Sequence, residues 1–414
     1  MNLGGATIVS RSLRMGKRFR ATKLATQPSI KATSLSTAAC TPGTQVVDKA
    51  VGYWLLGTGA LVGCMVSVGG LTRLTKSGLS MTDWKVQGSL PPQTQDEWEK
   101  EFERYKQFPE WQQRKSMTLD EFKYIFYWEW GHRALGRALG LAYCLPLALF
   151  AARGRLRPDL RPKLAALLGL GGTQGLVGWW MVRSGLEGVD PRQRKEIRVS
   201  PYRLAAHLGM AFTTGTLLLW TGLEALAAPG AAAAAARRLL EAGPPEVLRG
   251  VRRVRSLGLA ALPLIFATAL SGAFVAGNDA GCAYNTWPKM DEEWVPSEIL
   301  DMKPLWRNFF ENTATVQFDH RMLAYSTTAA IGLTYAAARR GPAWGALPAD
   351  ARRSLAGLAG MVGVQASLGV ATLLSHVPIE LAATHQAGSL VLLGLGTKFV
   401  HSMRFAAARH TAAA

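Results

Sequence analysis

The sequence predicts an all-α membrane protein: eight transmembrane helices arranged as two parallel four-helix-bundle repeats. Three observations lead there. Of 414 residues, 49% are hydrophobic and only 18% are charged, whereas a soluble domain carries roughly a quarter of its residues charged. The apolar residues are gathered into runs of the ~20 residues that a helix needs to cross the hydrocarbon core. Motifs of the first half then return, in order, in the second. The formal net charge of +19 does not point to nucleic acid. Lys and Arg fall in short blocks between apolar runs, as membrane topology places them, and not along one phosphate-binding face.

Residues 1–45 read as a mitochondrial transit peptide. They hold Arg11, Arg14, Lys17, Arg18, Arg20, Lys23 and Lys31 among many Ser, Thr and Ala, and the first acid of the chain is Asp48. An acid-free, Arg- and Ser-rich start without an apolar core is an organelle-targeting composition, and its Arg density favours the mitochondrion over the chloroplast. The eight apolar runs are 51–70, 125–151, 164–182, 204–226, 257–276, 316–338, 355–375 and 381–400, with Pro146 and Pro263 as kink signals inside two of them. They divide the chain into an N-terminal half (46–227), a linker (228–256) whose Ala run predicts a short surface helix, a C-terminal half (257–404) and a tail (405–414).

The connections alternate in charge. Arg153, Arg155, Arg157, Arg161 and Lys163 join runs two and three; Arg237, Arg238, Arg249, Arg252, Arg253 and Arg255 join four and five; Arg339, Arg340, Arg352 and Arg353 join six and seven. The positive-inside rule puts these, the linker and both termini on one side, the matrix face of the inner membrane. The long loops 71–124 and 277–315 lie opposite, rich in Trp, Pro and acids, and long loops are usually functional. Of four cysteines, Cys40 falls in the targeting segment, Cys64 and Cys144 in apolar runs and Cys282 in a loop; no CxxC, zinc spacing or c-type haem attachment motif occurs.

The tandem duplication is read from GHR at 131–133 returning as DHR at 319–321, AAHLGMAF at 205 as AATHQAGSL at 382, and TQGLVG at 173 as VQASLG at 364. Four spans per half give both halves the same orientation. Of seven histidines, His132, His207, His320 and His385 start runs two, four, six and eight, two in each half at similar depth. Neutral imidazoles from two facing helices are what a bis-imidazole haem needs in a bundle core. Zinc fits two separate pairs poorly without Cys or further carboxylates. His376, His401 and His410 are left out by position.

The two halves are unequal. Glu129 stands three residues before His132, on the same helix face, whereas Gln317 stands three before His320. An acid at the mouth of a span is costly and marks a candidate catalytic group, here a proton acceptor or a stabiliser of positive charge on a substrate. It could equally orient His132 or Arg133. Arg73, Arg133 and Arg321 are candidate partners for haem propionates, with membrane-interface anchoring as their plainer role.

The stretches GGLTRLTKSGLSMTDWKVQGSLPP, EFKYIFYWEWGHR, RLAAHLGMAF, SGAFVAGNDAGCAYNTWPKM, NFFENTATVQFDHR and ELAATHQAG together resemble the haem A synthase family, mitochondrial branch, over about residues 51–400. The resemblance implies an oxidoreductase that converts the C8 methyl of haem O to the formyl of haem A for cytochrome c oxidase. It implies a haem b cofactor on His320 and His385, substrate haem on His132 and His207, and Glu129 as the acid of the family's ExxHR motif. The resemblance implies a matrix ferredoxin as electron donor; haem O synthase, further copies of the chain and membrane lipid are the other expected partners. Some bacterial members carry a cysteine pair in an external loop; 71–124 has no Cys, so chemistry relying on that pair does not apply. The competing readings are a diheme b-type electron-transfer cytochrome and a haem carrier.

Overall fold

The computed structural model describes residues 48–187, 197–228, 230–242 and 244–407. The targeting segment at 1–45 and His410 lie outside them. Every named element among the described residues is helical: α1 (Lys49–Leu74), α2 (Gln95–Tyr105), α3 (Leu119–Ala152), α4 (Arg161–Leu186), α5 (Pro201–Leu226), α6 (Ala231–Ala242), α7 (Pro245–Gly277), the single turn α8 (Asn308–Glu311), α9 (Thr313–Arg340), α10 (Ala349–Leu374) and α11 (Ile379–Ser402). Each of the eight apolar runs falls on one of the long helices α1, α3, α4, α5, α7, α9, α10 and α11, the seventh overrunning its helix by Ser375 alone. Both interior prolines are accommodated within α3 and α7.

Local chemistry sets the starts. The first amides of a helix lack intrahelical acceptors, and here side chains supply them. Thr94 with Glu97 and Thr118 with Glu121 form reciprocal capping boxes at α2 and α3. Asn312 accepts from the amides of Ala314 and Thr315 at α9. Proline opens α5 and α7, where its missing N–H costs nothing. Because α7 starts at Pro245, the basic stretch read as linker is largely helical, comprising α6 and the first turns of α7. Arg and Leu propagate a helix well without an apolar face, which hydropathy alone does not register.

Four helices, α1, α3, α7 and α10, are long and apolar enough to cross a membrane by length and composition, and α5 makes a fifth if it is joined to the bent start of α6. The remaining long helices, α4, α9 and α11, have the length but carry Gly, Thr, Gln, His and charged residues at the end where the histidines sit.

The same neighbour relations recur in both halves. Helix α1 packs on α3 and α5, and α4 on α5; likewise α7 packs on α9 and α11, and α10 on α11. Between the halves, α1 meets α11, α7 meets α5, and α5 meets α11. A shared core of Val66, Phe212, Ile265, Ile331, Leu358 and Leu392 binds the two together. Both long loops are folded. Trp98, Phe102 and Tyr105 of 71–124 form an aromatic core with Phe122 and Phe126 of α3, and burial together with the nearby Glu110 carboxylate raises the Tyr105 phenol above its ordinary pKa. In 277–315 the buried Asn308 amide donates to the carbonyls of Met302 and Leu305, at 2.8 and 2.9 Å, and its oxygen accepts from the Met302 amide at 2.8 Å.

Candidate functional site

The four singled-out histidines sit at one end of the bundle. His132 is on α3, His207 on α5, His320 on α9 and His385 on α11. Each ring lies against a glycine near the C-terminus of the preceding long helix. A methyl group on Gly69, Gly178 or Gly369 would stand 2.8, 2.9 or 2.9 Å from the Cε1 of His132, His207 or His385, and one on Gly272 would stand 3.6 Å from that of His320. The halves are in register: the Gln386 amide, next to His385, donates to the Val66 carbonyl of α1 at 3.1 Å, beside Gly69 and Gly70. His132 lies within Coulombic reach of His207, and His320 of His385. His401 is elsewhere, at the basic end, edge-on to Trp220 with 4.9 Å between ring centroids.

Hydrogen bonds around the rings repeat with one difference. Gln174 Nε2 lies 3.2 Å from His207 Nδ1 and donates to the His207 carbonyl at 3.0 Å; Gln365 Nε2 lies 3.1 Å from His385 Nδ1 and donates to the His385 carbonyl at 2.8 Å. On the other ring of each pair the halves diverge. Ser271 Oγ is 2.7 Å from His320 Nδ1, whereas His132 Nδ1 is buried with no hydrogen-bond partner among the described residues. Ser271 gives its own hydrogen to the Thr268 carbonyl at 2.8 Å. Its oxygen therefore accepts from His320 Nδ1–H, which leaves Nε2 with a bare lone pair.

These residues fit a haem held by two imidazoles. The rings come in pairs, the glycines open room at the ring edge that a Cβ would fill, and His320 presents the tautomer that ligation through Nε2 requires. Among the described residues, no three His, Cys, Asp or Glu side chains gather as a zinc site would need.

Glu129 is 3% exposed, and both of its oxygens are engaged. Oε1 accepts from Arg133 Nη2 at 2.6 Å, and Oε2 accepts from Ser80 Oγ at 2.7 Å and from the Met81 amide at 2.8 Å. Arg133 also donates to the carbonyls of Met81 and Asp83, both at 2.8 Å. Gln317, likewise 3% exposed, builds the same clamp in the other half. Its oxygen accepts from Arg321 at 2.9 Å while its Nε2 donates to the Ala280 carbonyl at 2.6 Å. Arg321 in turn donates to the carbonyls of Tyr284 and Thr286, both at 3.0 Å, and of Lys289 at 3.1 Å. The Glu/Gln difference thus has a local cause. The first loop offers the clamp an amide donor, which a carboxylate accepts; the second offers a carbonyl, which needs an amide N–H. Arg73 is drawn across the halves, donating to the Ala276 carbonyl at 2.9 Å and to Asp279 at 3.2 Å, where Arg198 pairs as well.

Reasoning from sequence missed Gly69, Gly178, Gly272, Gly369, Gln174, Gln365 and Ser271. Their signal lay in the duplication: TQGLVG and VQASLG each hold the Gln and the Gly, and VGG at 68–70 stands where SGA stands at 271–273. Gly369→Ala is expected to push the His385 ring off its position, at the about 1–3 kcal/mol typical of overpacking, and to deplete bound pigment. Gly272→Ala, with ordinary contact distance to its histidine, should retain it. Haem-to-protein ratios of the two purified variants check this.

The family model of a cytochrome oxidase assembly protein, COX15-CtaA, matches residues 52–397. A protein of Arabidopsis thaliana named Heme A synthase COX15 is 47% identical over 364 residues, 86% of this chain and 75% of its own length. Its Bos taurus namesake is 43% identical over 398 residues, 96% of this chain and 90% of its own. The bacterial Heme A synthase of Parvibaculum lavamentivorans is 44% identical over 362 residues, 87% and 96% of the two chains. With two imidazole pairs set at one end of its helices and a match over nearly the whole of its described length, the chain belongs to the COX15-CtaA family of cytochrome oxidase assembly proteins.

Proposed function

We propose that the chain is a haem A synthase of the mitochondrial inner membrane, oxidising the C8 methyl of haem O to the formyl group of haem A. The observation that carries this reading is the doubled site: two imidazole pairs built alike at one level, yet differing at His132 and His320. All eight long helices cross the membrane as two four-helix repeats about an axis between α5 and α11, a reading supported by the matching neighbour relations. Both termini then lie in the matrix, after removal of 1–45.

His320 and His385 hold haem b, and His132 and His207 hold haem O as substrate. Haem b held by these two imidazoles would supply one-electron relay. The substrate methyl would be hydroxylated twice with dioxygen as oxidant, each turn taking two electrons from the donor and releasing one water, and loss of water from the resulting diol would leave the aldehyde. Electrons come from a matrix ferredoxin, for which the basic loops are the docking face. Haem O synthase and further copies of the chain are the partners in substrate supply and assembly.

Arg73 and Arg321 each keep a buried Nε–H with no partner among the described residues, the donors a propionate would take. Arg133 is committed to loop carbonyls. Glu129 has three of its four acceptor sites filled by Ser80, the Met81 amide and Arg133, and the Arg133 guanidinium beside it favours the ionised form. Its part in catalysis is therefore positional: it holds residues 80–83 and Arg133 over the substrate haem.

Pigment extraction from purified protein tests the function. An enzyme yields haem b together with haem O or haem A. Haem b alone would establish an electron-transfer cytochrome instead, and ready loss of all pigment on dilution a carrier.

A further inference from the structure

Around His320 a polar chain runs between two helices, α7 and α9. Ser271 accepts from the imidazole and donates to the Thr268 carbonyl at 2.8 Å, and the Thr268 hydroxyl meets that of Thr327 at 2.7 Å. The glycines that touch the rings align the halves: Gly69 matches Gly272, and His132 matches His320. Counting from these anchors, the positions of Ser271, Thr268 and Thr327 are held by Val68, Met65 and Leu139. All three polar members are replaced by apolar side chains, and His132 Nδ1 is left buried with no hydrogen-bond partner among the described residues. At the second ring of each pair, by contrast, Gln174 and Gln365 are alike.

A hydrogen bond from Nδ1–H to an acceptor fixes the tautomer, holds the ring plane and makes Nε2 a stronger donor to iron; losing such a partner typically costs 10–100-fold in metal affinity. We propose that Ser271, and the valine that replaces it at position 68, is the device that makes one haem a retained cofactor and the other an exchangeable substrate. His320 is a locked ligand. His132 is an unlocked one, whose bond to iron breaks readily enough for the finished haem to leave. The inference rests on the proposed two-haem function and deepens it: the hydrogen bond, and not a difference in ligand type, sets which site turns over. It also gives the C-terminal haem the lower midpoint potential, since a more basic imidazole favours the ferric state.

The experiment uses the full-length holoprotein, wild type and the variants Ser271→Val, Ser271→Thr and Val68→Ser. Transfer of haem to excess apomyoglobin is followed spectroscopically, and midpoint potentials are measured by redox titration. Wild type should lose haem in two phases, one fast and one slow. Ser271→Val should accelerate the slow phase by about 10–100-fold and raise the potential of the haem it carries, while Ser271→Thr, which keeps the hydroxyl, restores both. Val68→Ser should slow the fast phase and leave the other unchanged. An unaltered slow phase and potential in Ser271→Val, with Val68→Ser also silent, would overturn the proposal. A single haem per chain in wild type would instead overturn the two-haem function on which it stands.

Discussion

Replacing His385 by Met is expected to convert the low-spin bis-imidazole spectrum of the C-terminal haem to that of a His/Met pair, with a raised potential and loss of haem A formation. The ring cannot be spared sterically or electronically. It stands against Gly369 with no room for a Cβ between them, and the Gln365 amide donates to the His385 carbonyl at 2.8 Å, fixing the turn that carries the ring. Losing a ligand outright should cost more than the 10–100-fold attached to a mere supporting hydrogen bond. His320→Met should act alike, while His401→Met, at the other end of α11 against Trp220, should leave the visible spectrum unchanged. An unaltered spectrum in the His385 and His320 variants would mean that the cofactor lies elsewhere.

Glu129→Gln is expected to keep haem b bound and to abolish or severely reduce haem A formation, through the loop it holds. A glutamine at 129 must turn an N–H toward either Arg133 or the Ser80 and Met81 donors, so at least one buried bond is replaced by a donor–donor clash. Hydrogen bonds to a buried charge are worth about 1.5–3 kcal/mol each. That loosening should appear as faster amide exchange and proteolysis in residues 77–83. Gln317→Glu is the mirror experiment, setting a carboxylate oxygen against the Ala280 carbonyl now bonded at 2.6 Å, and should loosen 277–290. Loss of product in Glu129→Gln with loop protection unchanged would assign the acid a direct chemical role; unimpaired product would remove it from the mechanism.

Much of this was legible in the chain itself. Apolar runs of membrane length locate all eight long helices, because burial of a continuous apolar stretch leaves the backbone few alternatives to a helix. The histidines announce themselves through repetition at matched positions. What stayed hidden was the meaning of the Glu129/Gln317 asymmetry. It looks like acid chemistry in one half, yet the loops packed against these side chains present opposite hydrogen-bonding groups, and loop polarity is a tertiary property. Ser271 was invisible for a related reason: a serine in an apolar helix is ordinary until a second helix brings an imidazole to it. The α7 extension was missed because its first turns are charged, and hydropathy registers membrane and not helix.

The most direct test is an experimentally determined structure of the pigment-loaded protein. Two macrocycles should lie at one depth, at the end of the bundle bearing the histidines. One iron should sit between His132 and His207 and the other between His320 and His385, with Ser271 still bonded to His320. A macrocycle bridging the two halves, or irons ligated by any other side chains, would contradict the paired-site architecture outright.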